Sequence, residues 1–300
     1  KLHLMLAPPG CAPFPIYHQR LGTLVALDTS NRSVLSNSIR SLTLLRNWLR
    51  GTISRDSGNI SGPAVHIALK GEQCTRDLVN AVRFSRWPQE GYEWFQRRRL
   101  YGWPTHTQIK NAWVYGCFAT PVGHPHSHEQ HLEWRLSFSL AERDLVRSFE
   151  DAVMKVYILL KMMRKTYIEP VVGDAFSSYH CKVCMLWMRE RTPRELWSNE
   201  NILHCLKLCI SQLYEWAATG YCPDYFIVTN NIYDRKIVGV VRDNLIQRLT
   251  YLLSLDCSVL FGIKCCYLGQ LMINRISGLG MHYILTLPLI GDEVDMGYIL

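Results

Sequence analysis

Residues 133–142 read Glu133-Trp134-Arg135-Leu136-Ser137-Phe138-Ser139-Leu140-Ala141-Glu142, and here the pattern of the chain changes from strand to helix. Polar and apolar residues alternate, so Arg135, Ser137 and Ser139 are expected on one face of a short strand. Ser139 and Glu142 have the spacing of a capping box. Apolar residues then recur at intervals of three and four, which predicts a helix that Pro170 stops. These residues are Leu145, Phe149, Val153, Val156, Leu160, Met163 and Tyr167.

The two sides of this stretch differ in composition. Residues 1–133 are rich in Pro, Gly, Ser and Asn, with short β-type runs at 22–27 and 64–69, and are predicted to form a mixed α/β domain. Residues 134–300 have long amphipathic periods and are predicted to form a helical domain. The fold class expected for the whole chain is therefore α+β.

Three further helices are expected in the second domain. One begins at Ser177 or Ser178 and ends before Pro193, and the next is capped by Ser198 and ended by Gly220. The last has an apolar stripe made of Val238, Val241, Leu245, Leu249 and Leu252.

The composition of the 300 residues, 48% hydrophobic and 19% charged, excludes fibrous and disordered classes. A formal net charge of +8 suits nucleotides, nucleic acid or acidic membrane surfaces as partners. The apolar stretches at 249–266 and 281–290 are interrupted by Asp256, Lys264 and Pro288. They fall short of the roughly 20 apolar residues that span a bilayer, so no membrane segment and no membrane partner are expected.

The cysteines indicate the compartment. Their number, 11, is odd, and they are scattered through segments that read as helix or strand. This pattern favours buried, reduced thiols in a cytoplasmic or nuclear protein over a disulfide framework. No signal peptide is visible after Lys1, and we expect the natural N-terminus to lie upstream.

Two places in the predicted strands are candidates for metal or phosphate chemistry. Asp77 lies in an alternating run at 76–84, where a strand carboxylate can ligate Mg²⁺ or simply face solvent. Arg135 with Ser137 offers a forked donor and a hydroxyl to a triphosphate or a base edge. The alternative is that Arg135 pairs with an acid and that Ser139 only caps its helix.

A third candidate lies at the start of a predicted helix. Ser178 and Tyr179 stand where unpaired backbone N–H groups attract anions, and Lys161 comes from the preceding helix. Together they would form a phosphate pocket with an aromatic ring that stacks on a base. By spacing alone, they are equally a cap, a core tyrosine and a solvated lysine.

Three other patterns invite a ligand. The run Arg97, Arg98 and Arg99 stands among aromatic residues and suits either a nucleic-acid backbone or a solvated loop. The histidines of residues 124–131 raise the question of a metal. Cys181 and Cys184 form a C-x-x-C pair without a second one, so buried side chains are expected there and no zinc site.

Several motifs occur in an order that resembles the Mab twenty-one family of nucleotidyltransferase-fold proteins, which includes cyclic GMP-AMP synthase and the animal cyclic GMP-AMP synthase-like receptors. The resemblance covers about residues 62–255. Its motifs are Arg86-Trp87-Pro88, Tyr101-Gly102-Trp103-Pro104, Val122-Gly123-His124-Pro125, residues 133–143, Phe176-Ser177-Ser178-Tyr179-His180-Cys181-Lys182, and Asp224-Tyr225-Phe226-Ile227 with Asn230-Asn231.

The resemblance implies a nucleotidyltransferase core followed by a helical domain, and an innate immune activity that joins ATP and GTP into a cyclic dinucleotide with Mg²⁺ or Mn²⁺. It implies that Asp77 is the third of three metal carboxylates and the catalytic residue of this chain, as a metal ligand and base. It also implies that Arg135 and Ser137 hold the triphosphate and base, that Lys161 meets phosphate, and that Ser178 and Tyr179 bind the nucleotide.

Two departures from the family pattern leave the activity open. The chain contains no Gly-Ser dipeptide, and the first two metal carboxylates would lie before the segment at 7–10. The segment from Arg143 to Lys161 is expected to be continuous helix. It holds no counterpart of the His and Cys cluster that forms the zinc-binding thumb of cyclic GMP-AMP synthase. The hypotheses are therefore a nucleotidyltransferase activated by double-stranded RNA or another ligand, an inactive relative that binds nucleotide, nucleic acid or a protein, and a helical interaction protein.

Overall fold

The computed structural model describes residues 2–3, 25–27, 33–35, 60–61, 64–68, 75–79, 81–124, 127–234, 236–263 and 268–276. Contacts divide the chain into two units, Lys1–Trp87 with Trp113–Leu140, and Pro88–Ala112 with Ala141–Leu300. Residues 88–112 are thus grouped with the helical part of the chain. The domain boundary that composition predicts between residues 133 and 134 stays a prediction.

The described strands of the first unit form three antiparallel sheets. A four-stranded sheet has the order β1-β9-β8-β7, a three-stranded sheet the order β4-β5-β6, and β2 pairs with β3. The bounds are β1 Leu2–His3, β2 Val25–Leu27, β3 Ser33–Leu35, β4 Ile60–Ser61, β5 Ala64–Ala68, β6 Thr75–Val79, β7 Val82–Phe84, β8 Cys117–Thr120 and β9 Glu133–Ser137. The strands predicted near 22–27 and 64–69 are confirmed over 25–27 and 64–68. The strand predicted at 135–139 lies at Glu133–Ser137, and Ser139 begins a helix instead of sharing a strand face with Arg135 and Ser137.

The alternating run at 76–84 forms two strands in different sheets. β6 pairs with β5 and places Asp77 opposite His66, whereas β7 pairs with β8. In the four-stranded sheet, β9 places Arg135 opposite Thr120 and Ser137 opposite Phe118. Asp77 and Arg135 therefore belong to separate sheets of the first unit.

Close packing at one edge of the four-stranded sheet requires a glycine. Gly116 precedes β8 with a φ of +67°, and a Cβ there would lie 2.0 Å from the carbonyl oxygen of Phe84. Only glycine combines this left-handed backbone with so close an approach to β7. Trp87 follows β7 and Phe138 follows β9, and their buried rings stack with centroids 4.4 Å apart.

The second unit is helical. The described α-helices are α1 Tyr92–Gln96, α2 His106–Tyr115, α3 Ser139–Arg147, α4 Asp151–Met163, α5 Glu169–Val172, α6 Ser178–Arg191, α7 Ile202–Thr219, α8 Gly239–Ser254 and α9 Leu268–Ile276. α2 and α3 each have residues in both units. α4 packs on α6 and α7, and α8 packs on α7 and α5. The helices predicted to start at Ser177 or Ser178 and to end at Gly220, and the last helix, are confirmed. The predicted cap Ser198 is wrong, because α7 begins at Ile202 with Asn201 as its N-cap, and Val238 is the exposed N-cap of α8 rather than part of its buried stripe.

Helix α6 lies at the centre of this unit, because its side chains from Val183 to Glu190 are all buried. Cys181 and Cys184 face the core, as the sequence predicts, and the Cys184 thiol lies 3.4 Å from the carbonyl oxygen of Cys209. Of the described cysteines, only Cys257 is exposed, and all are free thiols.

The single helix predicted from Ser139 to Pro170 is wrong, because the chain breaks between α3 and α4. Ser148 turns its hydroxyl back to the Leu145 carbonyl, at 2.7 Å, and accepts a hydrogen bond from the Trp103 indole. Glu150 leaves helical geometry and binds both Nε and Nη2 of Arg189, at 3.1 and 2.9 Å. Partners from distant segments thus replace the helical turn that local spacing favours.

Pro170 does not end the helical path either. α4 passes into a π-helical turn at Arg164–Ile168, and Pro170 occupies the first turn of α5, which continues to Val172. A proline has no N–H to donate, so it is tolerated in the first turn of a helix. The path ends at Gly173, whose φ is 59°.

Candidate functional site

Two cations lie beside the first turn of α6. Burial raises the pKa of the Cys181 thiol in this turn to about 12, and the positive charges of Arg164 and Lys161 act in the opposite direction. Arg164 also donates to the Phe176 carbonyl, at 3.2 Å, just before the helix begins. Lys161 is half-buried on α4, with its Nζ 5.7 Å from the centre of the Tyr157 ring. The predicted lysine and the predicted helix start are therefore neighbours.

Tyr179, one residue into α6, is held by its hydroxyl. The hydroxyl donates to Oδ2 of Asp224 at 2.8 Å. Oδ1 of Asp224 accepts the backbone N–H groups of Phe226 and Ile227 at 2.9 and 3.0 Å. Burial raises the pKa of Asp224, while these three hydrogen bonds oppose the shift by stabilising the carboxylate. The half-buried ring of Tyr179 is thus fixed in orientation.

A second ion pair borders the same ring. Lys182 donates to Oε2 of the buried Glu142 at 2.6 Å, and its Nζ lies 5.4 Å from the centre of the Tyr179 ring. Glu142, predicted to close a capping box on Ser139, therefore carries a tertiary ion pair with α6. The charge of Lys182 is compensated within the protein by Glu142, and Arg164 pairs through Nη2 with Glu169 at 2.8 Å.

The N-terminus of α6 is capped by a histidine. Nδ1 of His180 accepts the backbone N–H of Ser177 at 2.9 Å, so the neutral ring carries its proton on Nε2. The ring is buried and stacks on Phe176 at 4.8 Å. Burial lowers the pKa of His180 from 6.5 to about 4. The cap is therefore neutral and adds no charge at pH 7.

The other predicted nucleotide residues belong to the first unit. Arg135 is exposed on β9 and Ser137 is half-buried, and the Arg135 carbonyl accepts the Thr120 hydroxyl at 3.1 Å. Asp77 is placed only by its backbone, in β6, and its side chain lies outside the described part of the structure. The roles of Arg135, Ser137 and Asp77 stay predictions.

The arginine run divides into two kinds of side chain. Arg97 and Arg99 are nearly buried, with 11% and 7% of their side chains exposed, and both reach the carboxylate of Glu190. Arg98 is exposed. Neither a solvated loop nor a continuous basic surface describes this run, and its role in nucleic-acid binding stays a prediction.

The described residues contain no group of three or more His, Cys, Asp or Glu side chains that could hold a metal ion. In the histidine-rich loop, buried Glu133 accepts the His124 N–H at 2.8 Å and the Ser127 hydroxyl at 2.5 Å. Glu133 thus fixes the loop rather than offering a free carboxylate. Since the Asp77 side chain is outside this part, no catalytic step through a metal is derived.

Sequence reasoning missed the residues that hold Tyr179. Asp224, Glu142 and Lys182 stand in motifs whose order resembles the family, yet their support of Tyr179 did not follow from spacing, since Tyr179 and Asp224 are 45 residues apart. Glu190 was missed as well. The signal available for it was an acid between two arginines near the end of a buried helix, where an unpaired charge is costly.

The two parts of the chain match two family descriptions. Residues 27–148 match the Mab-21 protein nucleotidyltransferase domain, and residues 152–251 match the Mab-21 protein HhH/H2TH-like domain. These matches define a nucleotidyltransferase-type fold with a helical C-terminal domain, and they confirm the α+β class. The chain belongs to the Mab-21 family.

One relative is named for an activity class. A cyclic GMP-AMP synthase-like receptor from Magallana gigas is 29% identical over 167 residues, which cover 52% of this chain. The match spans 27% of that relative's length. Within the described residues, none of the helices combines the length and apolar character needed to cross a membrane. The cytoplasmic or nuclear location stays a prediction.

Proposed function

We propose that the protein binds ATP and GTP and joins them into a cyclic dinucleotide, with the start of α6 as a nucleotide-holding surface. The observation that carries the proposal is the grouping of Lys161 and Arg164 beside the first turn of α6, next to a tyrosine ring that Asp224 holds in place. Membership of the Mab-21 nucleotidyltransferase family supports it.

The chemistry of each group fits one part of a nucleotide. A lysine and a helix N-terminus both attract phosphate oxygens, through charge and through backbone N–H donors. An oriented aromatic ring stacks on a base, a contact that contributes about 1–3 kcal/mol. Ser178 adds a hydroxyl in the same turn. Arg135 and Ser137 are proposed to hold the triphosphate and base from the first unit.

The metal belongs to the proposal only through the family. Mg²⁺ or Mn²⁺ would supply charge neutralisation for phosphoryl transfer, with Asp77 as one proposed ligand. The residues at α6 have a separate task, which is to bind and orient the nucleotide before any bond is made. Their contribution can therefore be measured as binding, without turnover.

Nucleotide binding tests the site directly. In isothermal titration of the chain with ATP and with GTP, Lys161→Ala and Tyr179→Ala are each expected to raise the Kd about tenfold, since each removes a contact of about 1–3 kcal/mol. Tyr179→Phe keeps the ring but loses the hydrogen bond to Asp224, so it should have a smaller effect.

A matched control is available on the same helix. Lys155 also lies on α4, but it is exposed and pairs with Asp151 at 2.6 Å. Lys155→Ala makes the same change of charge and should leave the Kd within about twofold of the wild type. Unchanged binding in both Lys161→Ala and Tyr179→Ala would show that the nucleotide does not bind at the start of α6.

A catalytically inactive binder is the second candidate. The neutral cap and the anchored tyrosine need no metal to hold a nucleotide, so binding alone is sufficient for such a protein. Formation of a cyclic dinucleotide by the complete natural protein separates the two candidates, because only the first predicts a product.

A further inference from the structure

A cleft lies at the opposite end of α6 from the proposed nucleotide surface. It has a volume of about 370 Å³ and is lined by Glu93, Arg97, Arg98, Tyr101, Trp187 and Arg191, among others. We call it the arginine cleft. The 14 residues of α6 separate it by roughly 20 Å from Ser178, since a helix rises about 1.5 Å per residue. All of its lining residues belong to the second unit.

The inner wall of the arginine cleft is an ion cluster built around one buried carboxylate. Glu190 is buried and accepts Nη1 of Arg97 at 3.1 Å and the Tyr225 hydroxyl at 2.6 Å, with Arg99 Nε at 3.5 Å. Arg97 is further held by Glu93, at 3.2 Å, and by the Tyr225 carbonyl, at 2.8 Å. These bonds give the wall a fixed geometry and pair Glu190 with Arg97 and Arg99.

The outer part of the cleft presents two arginines without a carboxylate partner. Arg191 stacks on the Trp187 ring with its Cζ 4.1 Å from the ring centre, and Arg97 lies 4.2 Å from the same ring. Arg98 is exposed. Neither the Arg98 nor the Arg191 side chain has a salt bridge or hydrogen bond to any residue in the ranges that the structure describes.

The local charge favours an anion. The residues that line the cleft include three arginines (97, 98 and 191) and two glutamates (93 and 190), which leaves one positive charge uncompensated. Burial lowers the pKa of Arg191, and although the charge of Glu190 opposes this shift, the charge of Arg97 adds to it. A negative group between Arg98 and Arg191 would stabilise both guanidinium ions. The C-terminal dipole of α6 acts against an anion, but it corresponds to only about half an elementary charge.

We propose that the arginine cleft binds the phosphate group of a small organic phosphate through Arg98 and Arg191. Guanidinium groups bind phosphate oxygens with paired N–H donors, and the Trp187 ring on which Arg191 stacks orients it for this contact. The volume lies at the lower end of the roughly 300–1,000 Å³ found for small-molecule sites. A nucleic-acid duplex is disfavoured, because proteins hold duplexes by neutralising many backbone phosphates, and this cleft offers two arginines for contact.

Inorganic pyrophosphate is the probe, since it has no base to stack on Tyr179. The titration uses the full chain carrying Lys161→Ala and Tyr179→Ala, which removes the proposed nucleotide surface. Pyrophosphate is expected to bind this background. Adding Arg98→Ala should raise the Kd about tenfold, and adding Arg191→Ala as well should abolish measurable binding. Arg98 is exposed and unpaired, so its substitution is not expected to affect folding.

The control is Arg147→Ala, an exposed arginine on α3 with the same change of charge. It should leave the Kd unchanged. Equal Kd values with and without Arg98→Ala and Arg191→Ala, or an equal loss in Arg147→Ala, would overturn the proposal. Loss of double-stranded RNA binding in Arg98→Ala, with no pyrophosphate binding in the background protein, would also overturn it. Because the background lacks Lys161 and Tyr179, these outcomes do not depend on ATP binding at α6.

Discussion

At the scale of single residues, His180 shows how a buried cap constrains the conditions under which the helical unit is stable. Its Nδ1 must accept from Ser177, so the ring must stay neutral in the folded state. Burial lowers its pKa from 6.5 to about 4, and although hydrogen bonds to Ser177 and Ile232 oppose this shift, the charges of Lys236 and Arg164 add to it. The neutral form is therefore coupled to folding.

The free energy of unfolding should depend on pH through His180. Between about pH 4 and 6.5 the unfolded chain binds a proton on this residue that the folded chain does not. Stability should therefore be complete above pH 6.5 and fall as the pH approaches 4, by about 3 kcal/mol in total for this residue. Urea unfolding measured at several pH values gives this profile.

His180→Gln is the matched variant for this prediction. A glutamine at this position of the helix can still accept the Ser177 N–H through its side chain, but it does not titrate. The difference in unfolding free energy between wild type and variant should shrink as the pH falls from 6.5 to 4. A difference that is independent of pH would show that His180 is not coupled to folding.

At the scale of elements, helices whose signals are local could be predicted and those decided by distant partners could not. α6 follows from its cap at Ser177, and α7 follows from its apolar spacing and Gly220, although its N-cap is Asn201 and not the predicted Ser198. The break between α3 and α4 depends on Trp103 and Arg189, which lie 45 and 39 residues from their partners Ser148 and Glu150. A periodic pattern cannot contain such contacts, so it predicted one continuous helix.

The end of α7 is stabilised from two sides. Gly220 has a φ of 71° and its N–H donates to the Ala217 carbonyl at 3.2 Å. Arg242 of α8 donates through Nε to the same Ala217 carbonyl, at 2.7 Å, and through Nη2 to the carbonyl of Ala218. The backbone of Gly220 therefore ends α7 and leaves the last carbonyl groups of α7 accessible to Arg242 of α8.

Gly220→Ala should lower the free energy of unfolding by about 1–2 kcal/mol, because a left-handed backbone is costly for a residue with a Cβ. The added Cβ would also lie 3.2 Å from Nη1 of Arg242. Gly220→Asn should cost less, since asparagine tolerates this conformation. Urea unfolding followed by the circular dichroism of the helices should give midpoints that decrease in the order Gly, Asn, Ala at position 220. An alanine variant as stable as the wild type would contradict the role of the left-handed cap.

At the scale of the whole molecule, the order of the strands and the complete candidate site could not be predicted from local patterns in the sequence. β1, near the start of the chain, pairs with β9, near the end of the first unit. The run at 76–84 is shared between two sheets. Pattern reasoning found strands but not their neighbours, because pairing between distant segments leaves no local mark. The candidate residues Lys161, Ser178 and Tyr179 could be found from motif order, while their supports Asp224 and Glu142 required the fold.

The catalytic half of the proposed function depends on Asp77. In the complete natural protein supplied with ATP, GTP and Mn²⁺, Asp77→Asn should lower cyclic dinucleotide synthesis at least about a hundredfold, because the amide keeps the size of the side chain but loses the charge that stabilises a metal and the transition state. ATP binding should stay within about twofold, since Lys161 and Tyr179 are unchanged. Asp243→Asn, an exposed acid on α8, makes the same change of charge and should leave synthesis intact. Chromatographic measurement of product decides the matter. Undiminished synthesis in Asp77→Asn would remove this residue from the catalytic site, and nucleotide binding without product in the wild type would assign the protein to the inactive binders of its family.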